Sequence, residues 1–354
     1  MKTTIVTTTI NVPTFLKGYQ ANAEKFGHDV NYIVAGDLKS DPRTQSWCDN
    51  NITNCQFLSA KTQDDYLSRF PGLLRELPYN TPGRRNVAML LAYEQGADVV
   101  ITLDDDNLAT EYDAIGDHSV VGKNSIQWLH GSSTGWLNVC DLLQEKNNTE
   151  FYHRGFAPGM RWKPNTIYKY TADAKVVVNA GLWTGDPDTD AITRLERPLV
   201  TTGFKPHLTE RIALQPGTWS PFNCQNTALA REVIPAYFLS PAIGRHDDIF
   251  AGYIINKIAG YLGDVITFGK PLAFHNRTPH DLWKDLDAEC TGMQLTDSFC
   301  ETLRGIRLTG STYHECYGQI ITGLWDVSNK IDWLKIYPVV SGMQAWHAVF
   351  ERIK

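Results

Sequence analysis

The chain has 354 residues, of which 42% are hydrophobic and 20% are charged, and its net charge is −6. This length allows one large α/β domain or two smaller ones with a sizeable core. The negative charge argues against a nucleic-acid surface, which needs clustered Lys and Arg, and the segment "GRRN" at 83–86 is too short to reverse that expectation.

The first hundred residues alternate short apolar runs with amphipathic stretches. Residues 3–10 are β-branched and compact, which indicates a buried strand, and residues 30–37 and 98–103 predict two more strands. Helices are expected over 13–27, between a Pro and a Gly, and over 83–97. This β-α-β rhythm predicts an α/β fold with a mostly parallel central sheet and helices on both faces. Ligands bind such sheets beyond the carboxyl ends of their strands.

After residue 110 the rhythm breaks. Segments rich in Trp, Gly and Asn at 128–138 and 151–165 are expected to be loops around a site. A strand is predicted over 175–183, helices over 227–238 and 247–263, and a further strand over 264–276. No Pro-, Gly- or Ser-rich linker divides the chain, so we expect one domain with a C-terminal elaboration.

Three features bear on location and metal chemistry. The start "MKTTIVTTTINVP" lacks the apolar core of a signal peptide, and no run reaches the length of a membrane span. The seven cysteines include no CxxC pair, so zinc is not expected. We therefore expect a cytoplasmic protein with reduced thiols.

An acidic triplet, Asp104, Asp105 and Asp106, directly follows the apolar run "VVITL". Alternation predicts that Asp104 and Asp106 point to one side and Asp105 to the other. Two carboxylates on one side can share a divalent cation, which would bridge to a diphosphate and stabilise it as a leaving group. A solvated acidic turn or helix cap is the alternative.

Two further motifs could contribute to such a site. In "GRHDDIFAGY", Asp247 and Asp248 open a predicted helix, where they can cap free N–H groups or act on an acceptor hydroxyl as a base. His275 follows the last apolar run. It is either a structural histidine or a further ligand for Mn²⁺, because two aspartates fill only part of the coordination shell of a divalent ion.

The segment "FYHRGFAPGMRW" carries Arg154 and Arg161, which are either solvated or placed to offset phosphate charge, with Arg85 as another candidate. In "NAGLWTGDPDTDA", Trp183 stands near three acids, a combination typical of sugar sites. A calcium loop is the rival interpretation, but the segment lacks the spacing of an EF-hand. No glycine-rich nucleotide-binding motif is present, so kinase and dehydrogenase functions are not favoured.

Five ordered blocks resemble the reversibly glycosylated polypeptide family, the UDP-arabinopyranose mutases and their bacterial relatives (glycosyltransferase family 75). These blocks are "ITLDDDN", "HRGFAPGMR", "NAGLWTGDPDTDA", "PFNCQNTALAREVI" and "GRHDDIFAGYIINKI". The resemblance implies a GT-A type nucleotide-diphospho-sugar transferase fold over 1–290, with a nucleotide-binding half (1–110) and a sugar and acceptor half (111–290). Residues 291–354 would then form a C-terminal helical extension.

The resemblance also implies roles for individual residues. The triplet would hold a divalent ion and the nucleotide sugar, with Asp104, Asp106 and His275 as metal ligands. Asp247 and Asp248 match a "GRYDD" pair, and Arg161 lies where plant members become glycosylated. The uridine would contact four residues near the first two strands: Thr8, Thr9, Asn11 and Asp37. "RGFAPGMR" and His246 depart from the family pattern on the acceptor side.

The leading prediction is thus a glycosyltransferase that uses Mn²⁺ or Mg²⁺ and a UDP-sugar donor, with an unidentified saccharide or small molecule as acceptor. One alternative is a pyranose–furanose mutase or self-glycosylating protein, with the sugar on Arg161. Another is a non-catalytic nucleotide-sugar-binding subunit that assembles with an active partner. A homo-oligomer is possible, and neither nucleic acid nor membrane is an expected partner.

Overall fold

The first hundred residues form parallel strands joined by helices in the computed structural model, which describes residues 1–205, 211–327 and 332–353. The central strand of this part pairs in parallel with two neighbours, and a fourth strand extends the sheet. The elements are β1 (Thr3–Thr8), α1 (Leu16–Phe26), β2 (Val30–Ala35), α2 (Thr44–Asn51), β3 (Cys55–Leu58), α3 (Ala60–Leu67), α4 (Pro71–Glu76), α5 (Arg85–Glu94) and β4 (Val99–Leu103). The predicted parallel β-α-β rhythm is confirmed here.

The middle of the chain contributes mainly strands. Among its described residues, the two α-helices are short, with five and six residues. The elements are β5 (Asn107–Ala109), α6 (Ala114–His118), β6 (Asn124–Ser132), β7 (Leu143–Glu145), β8 (Ile167–Gly185), α7 (Ala191–Glu196), β9 (Thr201–Phe204), β10 (Ile212–Leu214) and β11 (Asn226–Ala230). The predicted loop at 128–138 therefore begins inside a strand, β6.

The sheet as a whole is mixed, so the prediction of a mostly parallel sheet was wrong. β11 lies between β4 and β8 and is antiparallel to both, and β6 is also antiparallel to β8. The regular β-α-β alternation on which the prediction rested ends at β4, and beyond it parallel pairs, β6 with β10 and β8 with the later strand Val265–His275, lie among antiparallel ones. The α/β architecture, with helices on both sides of a large mixed sheet, fits a nucleotide-sugar transferase-like fold.

The predicted helix over 227–238 was also wrong. Residues 226–230 form β11, which is buried along its whole length, and residues 231–236 form a 3₁₀ turn that contains Pro235. A short apolar run that is buried on both faces has no alternation to distinguish it from a helix, and this is why the periodicity was ambiguous.

The last third of the chain is mostly helical. Its elements are α8 (Asp247–Leu262), β12 (Val265–His275), α9 (Leu282–Gly305), α10 (Tyr313–Asp326) and α11 (Trp333–Phe350). The predicted helix over 247–263 and strand over 264–276 are confirmed by α8 and β12. The boundary drawn between 290 and 291 falls inside one continuous helix, α9.

Side-chain contacts tie the C-terminal helix to two distant parts of the chain. Ser341 Oγ donates to Glu76 Oε1 at 2.9 Å, and the buried Trp346 ring donates to the carbonyl of Ile234 at 3.1 Å. α11 is therefore part of the same hydrophobic core as the elements before it. In the part of the chain that is described, no helix combines the length and apolar character needed to cross a bilayer.

Candidate functional site

A cavity of about 490 Å³, called the site cavity below, lies beyond the carboxyl ends of β1 and β4. This is where parallel α/β sheets bind ligands. Nine residues singled out from the sequence line it: Thr8, Arg85, Asp104, Asp105, Asp106, Arg154, Asp247, Asp248 and His275. The structure thus brings residues from both halves of the chain into one place.

The three aspartates form a turn after β4, in which the amide of Asn107 donates to the carbonyl of Asp104 at 3.2 Å. Because this segment is a turn, the alternation expected of a strand does not hold, and all three side chains line the site cavity. Each carboxylate has a different partner. Arg85 pairs with Asp104, Thr9 Oγ1 donates to Asp105 at 2.5 Å, and Asp106 faces His275.

The pairing of Asp104 involves a buried guanidinium. Arg85, the first residue of α5, is 2% exposed and also donates to the carbonyls of Leu103 and Cys224 at 3.1 and 3.3 Å. Burial raises the pKa of Asp104, and Arg85 opposes that rise. The carboxylate of Asp104 is therefore already paired with a cationic side chain of the protein.

His275 sits at the end of β12 with both ring nitrogens engaged. Nδ1 lies 2.6 Å from the carbonyl oxygen of Asp186, which can only accept, so Nδ1 carries a proton. Nε2 lies 3.3 Å from Asp106 Oδ2 and 3.4 Å from Gln225 Nε2. Burial opposes protonation, but the hydrogen bond and charge of Asp106 raise the pKa of His275.

A chain of amides fixes the orientation of Gln225. Asn223 accepts from the Gln225 amide N–H at 3.2 Å, and its own Nδ2 donates to Asp188 at 2.6 Å and to Gln225 Oε1 at 2.8 Å. This arrangement turns Gln225 Nε2, a donor, towards His275 Nε2. The imidazole lone pair and the Asp106 carboxylate then both face one small space, which a proton or a divalent cation can fill.

The side chains of the site cavity supply only part of a coordination shell for the predicted metal ion. Within residues 1–205, 211–327 and 332–353, no three His, Cys, Asp or Glu side chains are grouped so that they could hold a metal ion. Asp106 and His275 supply one carboxylate and one imidazole, which suit Mn²⁺, and phosphate oxygens of a ligand would have to complete the coordination. Asp104, the third predicted ligand, is paired with Arg85.

Arg154 is the centre of a buried ion-pair network. Its Nε and one terminal nitrogen each lie 3.0 Å from an oxygen of Asp188, and its other terminal nitrogen lies 3.2 Å from Asp248. It also donates to the carbonyl of Arg245. Burial alone would raise the pKa of Asp188, but Arg154 holds it well below its usual range. The donors of Arg154 are thus occupied by protein partners.

Asp247 and Asp248 are the first two residues of α8 and differ in their contacts. Asp248 accepts from Arg154, from the Cys224 amide at 3.1 Å and from the Ile249 amide at 2.8 Å. Asp247 is half-buried and accepts from the Asp248 amide at 2.9 Å. Burial, followed by the charge of Asp248, raises the pKa of Asp247 to about 7. A carboxylate with that pKa can both accept and return a proton near neutral pH.

The turn before α8 needs a glycine. Gly244 has φ of 61° and ψ of −135°, a conformation reserved for glycine, and a Cβ there would collide with the carbonyl oxygen of Ala288 in α9. This turn sets where Asp247 enters the site cavity.

Other predicted residues lie at or beyond the edge of the site cavity. Asn11 Nδ2 lies 3.4 Å from Asp105, and Asp37 accepts from the amides of Leu38 and Asn80 at 2.7 and 2.6 Å, which holds the loop that carries Asn80. Trp183 is 1% exposed within β8, with its ring 5.7 Å from that of His153. Arg161 pairs with Asp190 at 2.5 Å, outside the lining of the cavity.

Several residues that line the site cavity were not predicted from the sequence. Arg277, Thr278 and His280 follow β12, and Gln225 precedes β11. Polar residues just past a strand are the signal that identified the aspartates. The same signal is present at Arg277 and His280 and would predict them as site residues. Gln225 carried no such signal, because its place depends on the insertion of β11 between β4 and β8.

No protein-family model matches the chain. Among curated proteins, it is 26% identical to UDP-arabinopyranose mutase 3 of Arabidopsis thaliana over 188 residues, 51% of each chain. It is 28% identical to UDP-arabinopyranose mutase 1 of the same plant over 151 residues, 40% of this chain and 42% of the relative. It is 33% identical to a probable UDP-arabinopyranose mutase 2 of Solanum tuberosum over 110 residues, 29% of this chain and 30% of the relative.

These matches confirm the resemblance to the UDP-arabinopyranose mutase family. The chain spans about half the length, or less, of the curated relatives that it matches.

Proposed function

We propose that this relative of the UDP-arabinopyranose mutases binds a UDP-sugar in the site cavity and interconverts its pyranose and furanose forms. The observation that carries this proposal is the placement of Asp247, with its pKa of about 7, in the same cavity as the acidic turn and His275. The similarity to mutases on its own would favour the reaction but would not assign it to a place in the chain.

The nucleotide end of the substrate would lie by β1, where Thr8 lines the cavity and the loop held by Asp37 contributes Asn80. The diphosphate would lie beside Asp106 and His275, which are the residues suited to hold Mn²⁺ or Mg²⁺. A bound divalent cation would supply Lewis-acid stabilisation of the diphosphate when the bond to the sugar breaks. The sugar would then face Asp247.

Ring interconversion gives Asp247 a defined task. The bond between C1 and the diphosphate breaks and re-forms, and the C1–O5 bond is exchanged for C1–O4. The proton that leaves O4 must return on O5, so the reaction neither gains nor loses a proton. One carboxylate with a pKa near the working pH can carry that proton in both directions. Asp248 is engaged by Arg154 and two amides and would hold the start of α8 in place.

The test is incubation of the protein with UDP-arabinopyranose and Mn²⁺, followed by separation of the two ring forms and measurement of UDP release. We expect UDP-arabinofuranose to appear without stoichiometric UDP release. Conversion should be lost in Asp247→Asn and kept in Asp173→Asn, a matched change at an exposed position of β8. Binding without conversion, alone or with a partner, would instead indicate the non-catalytic subunit.

A glycosyltransferase that uses a separate acceptor is the second candidate, because Asp247 is equally placed to deprotonate an acceptor hydroxyl in the cavity. In the same incubation, this activity would release UDP in proportion to an added acceptor. A mass increase of one sugar on Arg161 would support self-glycosylation, which remains a prediction from the resemblance.

A further inference from the structure

One wall of the site cavity carries two arginines and a histidine. It is formed by Arg245, Arg277 and His280, called the basic wall below, and it shares the cavity with the acidic turn. We infer that the basic wall, with Arg277 as its main contact, is the subsite for the diphosphate of the nucleotide sugar. This inference rests on the proposed function and names the residues that would hold the charged part of the substrate.

The basic wall is held together by one carboxylate. Asp285, which is buried in α9, lies 2.6 Å from Arg277, 3.2 Å from His280 and 3.5 Å from Arg245. Arg245 also lies 3.3 Å from Glu289. Asp285 and Glu289 offset the charges of Arg277 and Arg245, so the capacity of the wall to bind an anion rests on the N–H donors of Arg277 rather than on excess charge. An anion that enters the cavity there can accept hydrogen bonds from those donors.

Arg277 lies close to the predicted metal ligands in the chain and in space. It follows His275 by two residues, and the amide of Asn276 donates to the carbonyl of Asp106 at 2.9 Å, which fixes the start of this loop against the acidic turn. A diphosphate with one oxygen near Asp106 and His275 would therefore have another within the reach of Arg277.

The other two arginines of the cavity are already engaged. Arg154 is held by Asp188 and Asp248, and Arg85 by Asp104 and two backbone carbonyls. Arg277, in contrast, donates one hydrogen bond among the residues that the structure describes, to Asp285. A guanidinium has five N–H donors in a planar fork that matches phosphate, so Arg277 keeps the donors needed for bidentate binding.

The charge next to Arg277 is close to balanced, because Arg194 and Arg245 bring positive charge and Asp186 and Asp285 bring negative charge. The preference for a diphosphate over a neutral group therefore follows from the planar donor fork of Arg277 and needs no contact with the base or the sugar.

The experiment measures the binding of uridine, UDP and inorganic pyrophosphate by calorimetry, with Mn²⁺ present, to the wild-type chain and to Arg277→Gln. Loss of a charged hydrogen bond should weaken UDP and pyrophosphate binding about 10- to 100-fold. Uridine affinity should stay within about twofold, because uridine carries no phosphate. Arg277→Lys keeps the charge but loses the fork, so it should give an intermediate loss.

Arg197→Gln is the matched control, because Arg197 is exposed and pairs with Glu196 outside the site cavity. Melting curves of all variants establish that they are folded. The basic wall is not the diphosphate subsite if Arg277→Gln lowers the affinities for uridine and UDP equally, or if it leaves the affinity for UDP unchanged. Arg277-dependent binding of pyrophosphate without any binding of UDP would support the subsite and remove the UDP-sugar function. A wild-type chain that binds neither would overturn both.

Discussion

Asp247 and Asp248 are neighbours in the sequence, yet Arg154 lies 3.2 Å from Asp248 and pairs with it, whereas Asp247 faces the site cavity with the Asp248 amide as its donor. The two carboxylates therefore have separate tasks: Asp248 holds the buried network together, and Asp247 is the group that exchanges a proton.

Activity should follow the ionisation of Asp247. Its pKa is raised to about 7, so the carboxylate is protonated below that pH and able to accept a proton above it. We expect the rate to rise with pH through about 7 and then to level off. Asp247→Asn should lower the rate about 10²- to 10⁴-fold and abolish this rise. Initial rates of both proteins from pH 5 to 9 measure the pH dependence and the loss of rate. If the rate of Asp247→Asn still rises with pH, another group is responsible for the rise.

Gln225 should compete with a metal ion for His275. It donates towards the Nε2 lone pair at 3.4 Å and is itself oriented by Asn223. Gln225→Leu removes that donor, and we expect Mn²⁺ affinity to rise about 3- to 10-fold, because one hydrogen bond of about 0.5–1.5 kcal/mol no longer has to be broken. Calorimetry or the electron paramagnetic resonance signal of free Mn²⁺ measures this directly. Gln45→Leu, at an exposed position in α2, is the control, and equal affinity in the two variants would contradict the role of Gln225.

Arg154 should be a major determinant of stability. Arg154→Ala leaves two buried carboxylates, Asp188 and Asp248, without their cationic partner. Removing one partner of a buried ion pair costs about 3–5 kcal/mol. Urea unfolding should show a loss of that size for Arg154→Ala and a change within about 0.5 kcal/mol for Arg197→Ala at the surface. A small loss in the first variant would mean that water or a rearranged side chain replaces Arg154.

Gly244 should tolerate no side chain. Gly244→Ala places a Cβ against the carbonyl of Ala288 and in a backbone conformation that only glycine adopts easily, so the free energy of unfolding should fall by about 1–3 kcal/mol or more. Because the displaced turn carries Asp247, activity should fall as well. Gly305→Ala, where nothing lies within 4 Å of the added Cβ, is the matched control and should be neutral or slightly stabilising. Equal stability of the two variants would show that the turn can relax.

Local patterns predicted the parallel half of the sheet and the place of the aspartates. The reason is that a buried strand followed by charged residues is a short-range signal, and strand ends in a parallel sheet converge on one edge. The same rule would have found Arg277, which follows β12.

Long-range placement was beyond the sequence pattern. Gln225 reaches the site because β11 inserts between β4 and β8, and no local feature predicts that insertion. Trp183 illustrates the reverse case. An aromatic near several acids suggested sugar stacking, but residues 176–183 of β8 are buried on both faces of the strand, so the ring of Trp183 lies in the core, where it is 1% exposed. In both cases, the order of the strands in the sheet and the packing on the two faces of a strand decide whether a side chain contacts the ligand.

The separation of Asp106 and His275 along the chain has a consequence for biosynthesis. The two residues are 169 positions apart, so a ribosome completes the acidic turn long before β12 and the basic wall exist. Until then the three carboxylates lie together without the cationic side chains that follow β12. Bringing Asp106 and His275 together closes a long loop, which is slow. Refolding should therefore be faster with millimolar Mn²⁺ than with a chelator, and stalled chains that end before residue 265 should not protect the acidic turn from proteolysis.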